Sequence, residues 1–308
     1  MNIVFFLSCN GISPAVIAGT ILENLEKILN PKLNFKLILK TDDKLRYLLL
    51  SKNYNKNIQL NPKYVIKESD LVFHIIDPRN IKTCGKDIFI DCLGDYWSYI
   101  NKKKLFELRL KLYIDGTVNS DYFFGTSFFR KNIYGKRLHN FGFIDKHIKQ
   151  LPTNGSNICK TVFIGSYKKK NKLYDDSLAH KKKINFVRSI NRKKICRLFN
   201  QYKFVIVHPG INTIAESIYL NKPFLYIAPA NIEQTYNTKF IKRHKLGVVI
   251  TDASLQNIQR GIYKLKCNYN IYKKNIETFC SKYNISFETE LYNFLKRVYY
   301  ENSREIKL

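Results

Sequence analysis

One short run rich in β-branched and aromatic residues, Tyr202–Val207 (YKFVIV), is too brief for a helix and reads as a buried strand. It ends in a turn, His208-Pro209-Gly210. Beyond the turn Ile214, Ala215, Ile218 and Tyr219 recur at helical spacing, so a helix follows, with Asn212 or Thr213 as its cap and Pro223 as its stop. Phe224–Ile227 is a second buried strand that ends near Pro229. Strand, tight turn, helix, strand is a βαβ unit. Its helix begins at the carboxyl end of a parallel sheet, where the unpaired N–H groups of a first turn attract an anion. The expectation at this stretch is a phosphate or diphosphate site.

The same alternation runs through the rest of the chain. Asn2–Ser8 reads as a strand, and Ala15–Leu29 as a helix with Ser13 as cap and Pro14 as first residue. Asn34–Lys40 is a strand and Asp42–Leu50 a helix; Leu71–Ile76, Ile88–Ile90 and Lys111–Ile114 are further strands, ending at Asp77, Asp91 and Asp115. Asp121–Arg137 is aromatic and basic without periodicity and yields no assignment; Gly142–Ile144 reads as a last short strand. Leu151–Asn157 has breaker composition and marks a domain boundary. The pattern then restarts with strand Thr161–Ile164, turn Gly165-Ser166, strand Ile184–Val187 and helix Arg192–Phe199, ahead of the βαβ unit. After it come helix Glu233–His244, strand Gly247–Thr251 and closing helices Leu255–Lys266 and Tyr283–Tyr300. The fold class is α/β: two Rossmann-like βαβ domains, 1–152 and 153–308, facing across a cleft.

Composition changes this picture little. The formal net charge is +29, a value that raises nucleic acid or an anionic membrane as partner. The chain is loaded with Lys, Ile, Asn, Tyr and Phe and has few Gly and Pro, so the charge reads as compositional drift. Its Lys runs, at 102–104, 168–170 and 181–183, fall between elements as solvated loops. No specific nucleic acid is expected, and a peripheral contact with an anionic membrane stays open. Seven dispersed Cys (Cys9, Cys84, Cys92, Cys159, Cys196, Cys267, Cys280) form no CxxC pair, which fits reduced thiols in the cytoplasm. No run approaches membrane-spanning length, and Ile3–Leu7 lacks the basic flank of a signal peptide.

His208-x-Gly210, Thr213, Glu216, Pro223, Pro229, Gln234 and Asn237, with Gly247 after the next helix, resemble the GT-B glycosyltransferases. The similarity is to the branch holding the UDP-glycosyltransferases and the peptidoglycan N-acetylglucosaminyltransferase. Gly11-x-Ser13-Pro14-Ala15 looks like the glycine-rich loop of that family's first domain, and Gly165-Ser166 like the loop opening its second. The resemblance implies an acceptor-side domain at 1–152 and a nucleotide-sugar domain at 153–308. It also implies that Gly210 and the amides near Asn212 and Thr213 hold a diphosphate, with His208 beside it and Ser166 adding a contact. Glu216 would accept from ribose hydroxyls and Gln234 would bind the donor sugar, each by its acceptor and donor inventory. Ser189 and Ile190 would lie near the base, with Arg188 stacking or on phosphate.

One departure stands out. Members of the family often carry a His after the first strand as general base, and here that loop is Cys9-Asn10-Gly11-Ile12-Ser13. The replacements at strand ends are His74, Asp77, Asp91 and Asp95, of which Asp91 and Asp95 are the catalytic candidates. No Asp-x-Asp pair stands at a strand end, so metal is not indicated, and helix dipole and amides would stabilise the leaving diphosphate. The expected activity is metal-independent, inverting transfer from a UDP-linked sugar to a small-molecule or lipid-linked acceptor, with no cofactor besides the nucleotide sugar. Three alternatives remain: a nucleotide-sugar epimerase on this fold, a catalytically inactive binding or scaffold protein, and a basic nucleic-acid-binding protein.

Overall fold

The computed structural model describes residues 2–7, 13–29, 36–40, 44–54, 57–77, 81–92, 107–127, 132–140, 143–149, 158–164, 184–187, 191–227, 229, 232–252, 254–283 and 287–305. The chain divides into two units, the first made of Met1–Phe143 with Ile285–Leu308 and the second of Ile144–Asn284. Each has its own sheet.

In the first unit the strands are β1 (Asn2–Leu7), β2 (Lys36–Leu39), β3 (Gln59–Leu60), β4 (Leu71–Ile75), β5 (Lys86–Asp91), β6 (Tyr122–Ser127), β7 (Asn132–Ile133) and β8 (Lys136–Asn140). They lie in the order β3-β2-β1-β4-β5-β6-β8-β7. Every neighbour pair is parallel except β7 and β8. Helices α1 (Ser13–Ile28), α2 (Lys44–Asn53) and α3 (Glu107–Asn119) accompany them. The strand expected at Lys111–Ile114 is the middle of α3. Tyr113, Gly116 and Thr117 are buried along it, Ser120 is buried just past its end, and Thr117 Oγ1 donates to the Tyr113 carbonyl at 2.9 Å. That is helical spacing, which a four-residue window cannot show. Much of the unassigned stretch before Arg137 is β6 and the β7–β8 hairpin. The hairpin turns at Tyr134 and Gly135, both at positive φ (45° and 73°), as a two-residue turn requires.

The second unit holds β9 (Ile158–Ile164), β10 (Ile184–Val187), β11 (Tyr202–Val207), β12 (Phe224–Tyr226) and β13 (Gly247–Val249), all parallel, in the order β10-β9-β11-β12-β13. Its helices are α4 (Lys146–Lys149), α5 (Arg192–Gln201), α6 (Ile211–Tyr219), α7 (Ile232–His244), α8 (Leu255–Cys267) and α9 (Tyr269–Tyr283). Phe204, Ile206, Leu225 and Val248 pack with Ile258 and Leu265 of α8 and Tyr272 of α9. The helix α9 has no counterpart in the sequence-based reading, although Tyr272, Ile276 and Phe279 are buried at helical spacing. Phe143 and Ile144 are buried but belong to no strand, and Gly142 lies outside the described residues.

The final helix, α10 (Phe287–Glu305), belongs to the first unit. The reason lies in α1, which is buried almost all round, from Pro14 through Leu22 and again at Asn24 and Leu25. One sheet face cannot cover such a helix, and α10 packs against α1, β6 and β8. The break thus falls at 143/144, ahead of the expected 152/153, and the second unit ends before the last helix. The expected linker, 151–157, lies outside the described residues.

Candidate active site

The βαβ unit is β11, α6 and β12. Gly210, extended at φ −74° and ψ 149°, is the N-cap of α6 and supplies no side-chain cap bond. The cap is therefore neither Asn212 nor Thr213, which sit in the first turn. The first intrahelical bond runs from the Ile214 N–H to the Gly210 carbonyl, so the amides before Ile214 have no partner within the helix. Glu233 of α7 reaches one of them, the Ile211 N–H. Among the described residues, a Cβ added to Gly210 would meet only Thr213 Oγ1, at 3.9 Å, so they leave the space over this helix end open. Asn212 is 6% exposed, and among the described residues neither its Oδ1 nor its Nδ2 has a hydrogen-bond partner. An unsatisfied buried amide is costly, and here it stands in the first turn of a helix.

Two contacts fix this turn. Asn237 Nδ2, on α7, donates to the Pro209 carbonyl at 2.9 Å and to Glu233 Oε1 at 3.2 Å. At the other end, Asn221 adopts φ 48°, with Asn221 N–H on the Ile218 carbonyl and Lys222 N–H on the Ser217 carbonyl. These paired bonds with a left-handed residue terminate α6 before Pro223 is reached, so Pro223 follows the stop. The Lys222 ammonium is buried and donates to the carbonyls of Phe199 (2.5 Å), Asn200 (3.0 Å) and Tyr202 (3.1 Å). It thus caps the end of α5, and burial pushes its pKa down to about 8.

Glu216 lies further along α6 and is 1% exposed. Arg192 Nη2 donates to its Oε1, while Arg192 Nε donates to Asp145 Oδ2 at 2.8 Å. One guanidinium thus serves two buried carboxylates. Burial raises the Glu216 pKa to about 7, with Arg192 pulling it down and Asp145 pushing it up. Beside them Cys196 is fully buried and its thiol pKa is pushed up by burial. In the sequence Arg192 marks only the start of a helix, and no local pattern pairs it with Asp145 or Glu216.

Residues 143–288 match the glycosyltransferase family 28 C-terminal domain, a span that closely follows the second unit. Over those residues the chain is similar to that family, and its fold is that of the GT-B glycosyltransferases. No curated protein sequence matches it. The fold is similar to UGT2 of Phytolacca americana, solved with UDP-2-fluoro-glucose and pterostilbene (12% identity, 98% of this chain and 99% of that one, TM-score 0.63). It is similar too to Arabidopsis thaliana UGT89C1, solved with UDP-L-rhamnose (10%, 98% and 98%, 0.65). A UDP-glucosyltransferase from Polygonum tinctorium capable of glucosylating indoxyl aligns at 12% identity over 96% of this chain and 97% of that one, TM-score 0.60.

The second unit brings His208, Gly210, Asn212, Thr213 and Glu216 together on β11–α6, with Gln234 half-buried in the first turn of α7. Burial pushes the His208 pKa down, so its imidazole is neutral near pH 7. Gly165, Ser166, Arg188, Ser189 and Ile190 lie outside the described residues, as do Gly11 and Asp95. In the first unit Ser13 is the half-buried first residue of α1, and Asp91 is the last residue of β5 at 0% exposure. Asp77 is 5% exposed. His74 is fully buried, stacked on Phe6 at 5.0 Å, and its Nε2 meets Asp87 Oδ1 at 2.8 Å. Asp87 stands at the start of β5, so His74 is held toward the amino end of that strand and away from the carboxyl end where a base was expected.

Proposed function

We propose that the chain is a glycosyltransferase that uses a UDP-linked sugar, with its diphosphate on the amino end of α6, and transfers the sugar by inversion and without a metal to a small-molecule or lipid-linked acceptor. The observation that carries the reading is the open space over Gly210 next to the buried, unpartnered Asn212 amide in the first turn of α6. A helix start attracts negative charge, and an amide offers donors to phosphate oxygens. Glu216 would accept from the ribose and Gln234 would meet the sugar. The complexes of UGT2 and UGT89C1 with UDP-sugars support the choice of nucleotide.

In the proposed reaction the acceptor oxygen attacks the anomeric carbon from the face opposite the diphosphate. The bond from that carbon to the diphosphate oxygen breaks, and UDP departs with the electron pair. The growing charge is met by the fixed dipole and amides of α6, which need no reorganisation as it develops. The acceptor's proton passes to a general base, for which Asp91 and Asp95 are the candidates the sequence offers.

The test is Gly210→Ala. The free protein has room for the added methyl group, so its melting temperature should stay within a few degrees of the parent. A phosphate drawn close to this backbone has no such room, and calorimetry should show UDP binding weakened by about tenfold or more, about 1.4 kcal/mol. Unchanged UDP affinity would sink the assignment.

A further inference from the structure

Arg192 is the first residue of α5, and its carboxylate partners come from elsewhere in the chain: Asp145 precedes α4 and Glu216 sits on α6. Asp145 is itself fixed, because its Oδ1 accepts from the His147 N–H at 2.9 Å. A rigid path therefore runs from the backbone of α4 through Asp145 and the planar guanidinium to one oxygen of Glu216. A glutamate has three side-chain torsions, and a guanidinium whose donors are directed by a second carboxylate fixes where such a group ends.

We propose that Arg192, anchored by Asp145, is a positioning residue of the donor site: it holds the Glu216 carboxylate where the ribose hydroxyls of a nucleotide sugar would meet it. This rests on the reading of Glu216 as the ribose ligand. Arg192 acts through Glu216 and does not itself touch the nucleotide. The pair also sets the charge on Glu216. The groups around that carboxyl are Arg192 and Cys196 of α5, Asp145, and Tyr226 of β12. Burial pushes the Cys196 thiol and the Tyr226 phenol up, so both are neutral across the working range. Arg192 favours the ionised form of Glu216 and Asp145 opposes it.

The experiment is UDP affinity by calorimetry over about pH 5.5 to 9 in the parent, Arg192→Met, Arg192→Lys, Asp145→Asn and Glu216→Gln proteins. The titration of UDP is common to all five, so the comparison is between proteins. The parent should bind more tightly as pH rises through about 7, where Glu216 ionises. Loss of the guanidinium should move that midpoint up by about one unit or more and weaken binding about tenfold at neutral pH. Arg192→Lys should recover part of the loss. Asp145→Asn should move the midpoint down, because a competing negative charge is gone while the Arg192–Glu216 pair remains. Circular dichroism identifies the folded variants, and if Arg192→Met does not fold, the downward shift in Asp145→Asn decides. A midpoint that stays put in Asp145→Asn, and in Arg192→Met where it folds, while Glu216→Gln weakens binding, overturns the positioning role and leaves the ribose contact standing. If Glu216→Gln binds UDP like the parent at every pH, the ribose contact itself is wrong and the proposal goes with it.

Discussion

A carboxyl group sealed into a protein prefers to be neutral, and at Glu216 one guanidinium offsets only part of that preference. Its pKa rests near 7 against an ordinary 4.5, so the folded state binds a proton that the unfolded chain releases between those values. The sign follows: the group's contribution to stability is fully present below pH 4.5 and is lost as pH rises through about 7. Glu216→Gln has no proton to lose. Urea unfolding across this range should therefore show the parent losing stability relative to Glu216→Gln as pH rises, with the variant at least as stable above pH 7. A constant difference between the two would show that Arg192 compensates the buried charge in full. Neither Arg192 nor Asp145 could be paired with Glu216 from the sequence, because a bond between residues so far apart in the chain leaves no local pattern. Gly210 and Glu216, by contrast, carried their own signal in the turn and the helical spacing around them.

Elements declared themselves where a periodic pattern ran long enough, as in α1, β1 and β11, and failed to where a short window imitated another period. Lys111–Ile114 looked like a strand because four residues cannot distinguish alternation from one helical turn; Tyr113 and Thr117, both fully buried, make the distinction. In α9 the apolar positions are diluted by polar neighbours such as Asn270 and Asn275, so its helical stripe went unread. The β7–β8 turn offered only Gly135 as a cue, next to a Tyr134 that seldom takes positive φ. Gly247 illustrates what a motif position can conceal. It matched the family pattern as a glycine after α7, and the reason is steric: a Cβ there would stand 2.4 Å from the Phe224 carbonyl oxygen, in the neighbouring strand β12. Backbone cannot yield as a side-chain tip can. Gly247→Ala should therefore destabilise the second unit by about 2 kcal/mol or more, measured by denaturant unfolding. A loss below about 0.5 kcal/mol would mean that β13 shifts away from β12 without cost.

On the scale of the whole molecule, the chain carries a formal net charge of +29. Among the described residues, exposed Lys and Arg occur on helices of both units, among them Lys193, Arg197, Lys242, Arg260, Lys264, Lys273, Lys296 and Arg297. Among the described residues no helix is long and apolar enough to cross a membrane. The path of the chain has a sharper consequence. Since α10 closes the first unit, the residues after Asn284 belong energetically with β1–β8 and not with the helices they follow. Leu291, Leu295 and Val298 are at most 1% exposed, Phe294 packs on Phe124 at 5.0 Å between ring centres, and His139 Nδ1 meets Glu290 Oε2 at 2.5 Å. Burying three such aliphatic side chains is worth about 5 kcal/mol, as much as the whole stability of many domains. A chain ending at Asn284 should therefore lose amide-exchange protection in β1, β4, β5 and β6, whereas β11, β12 and β13 stay protected. Protection lost first in the second unit would place α10 with its sequence neighbours and refute the division.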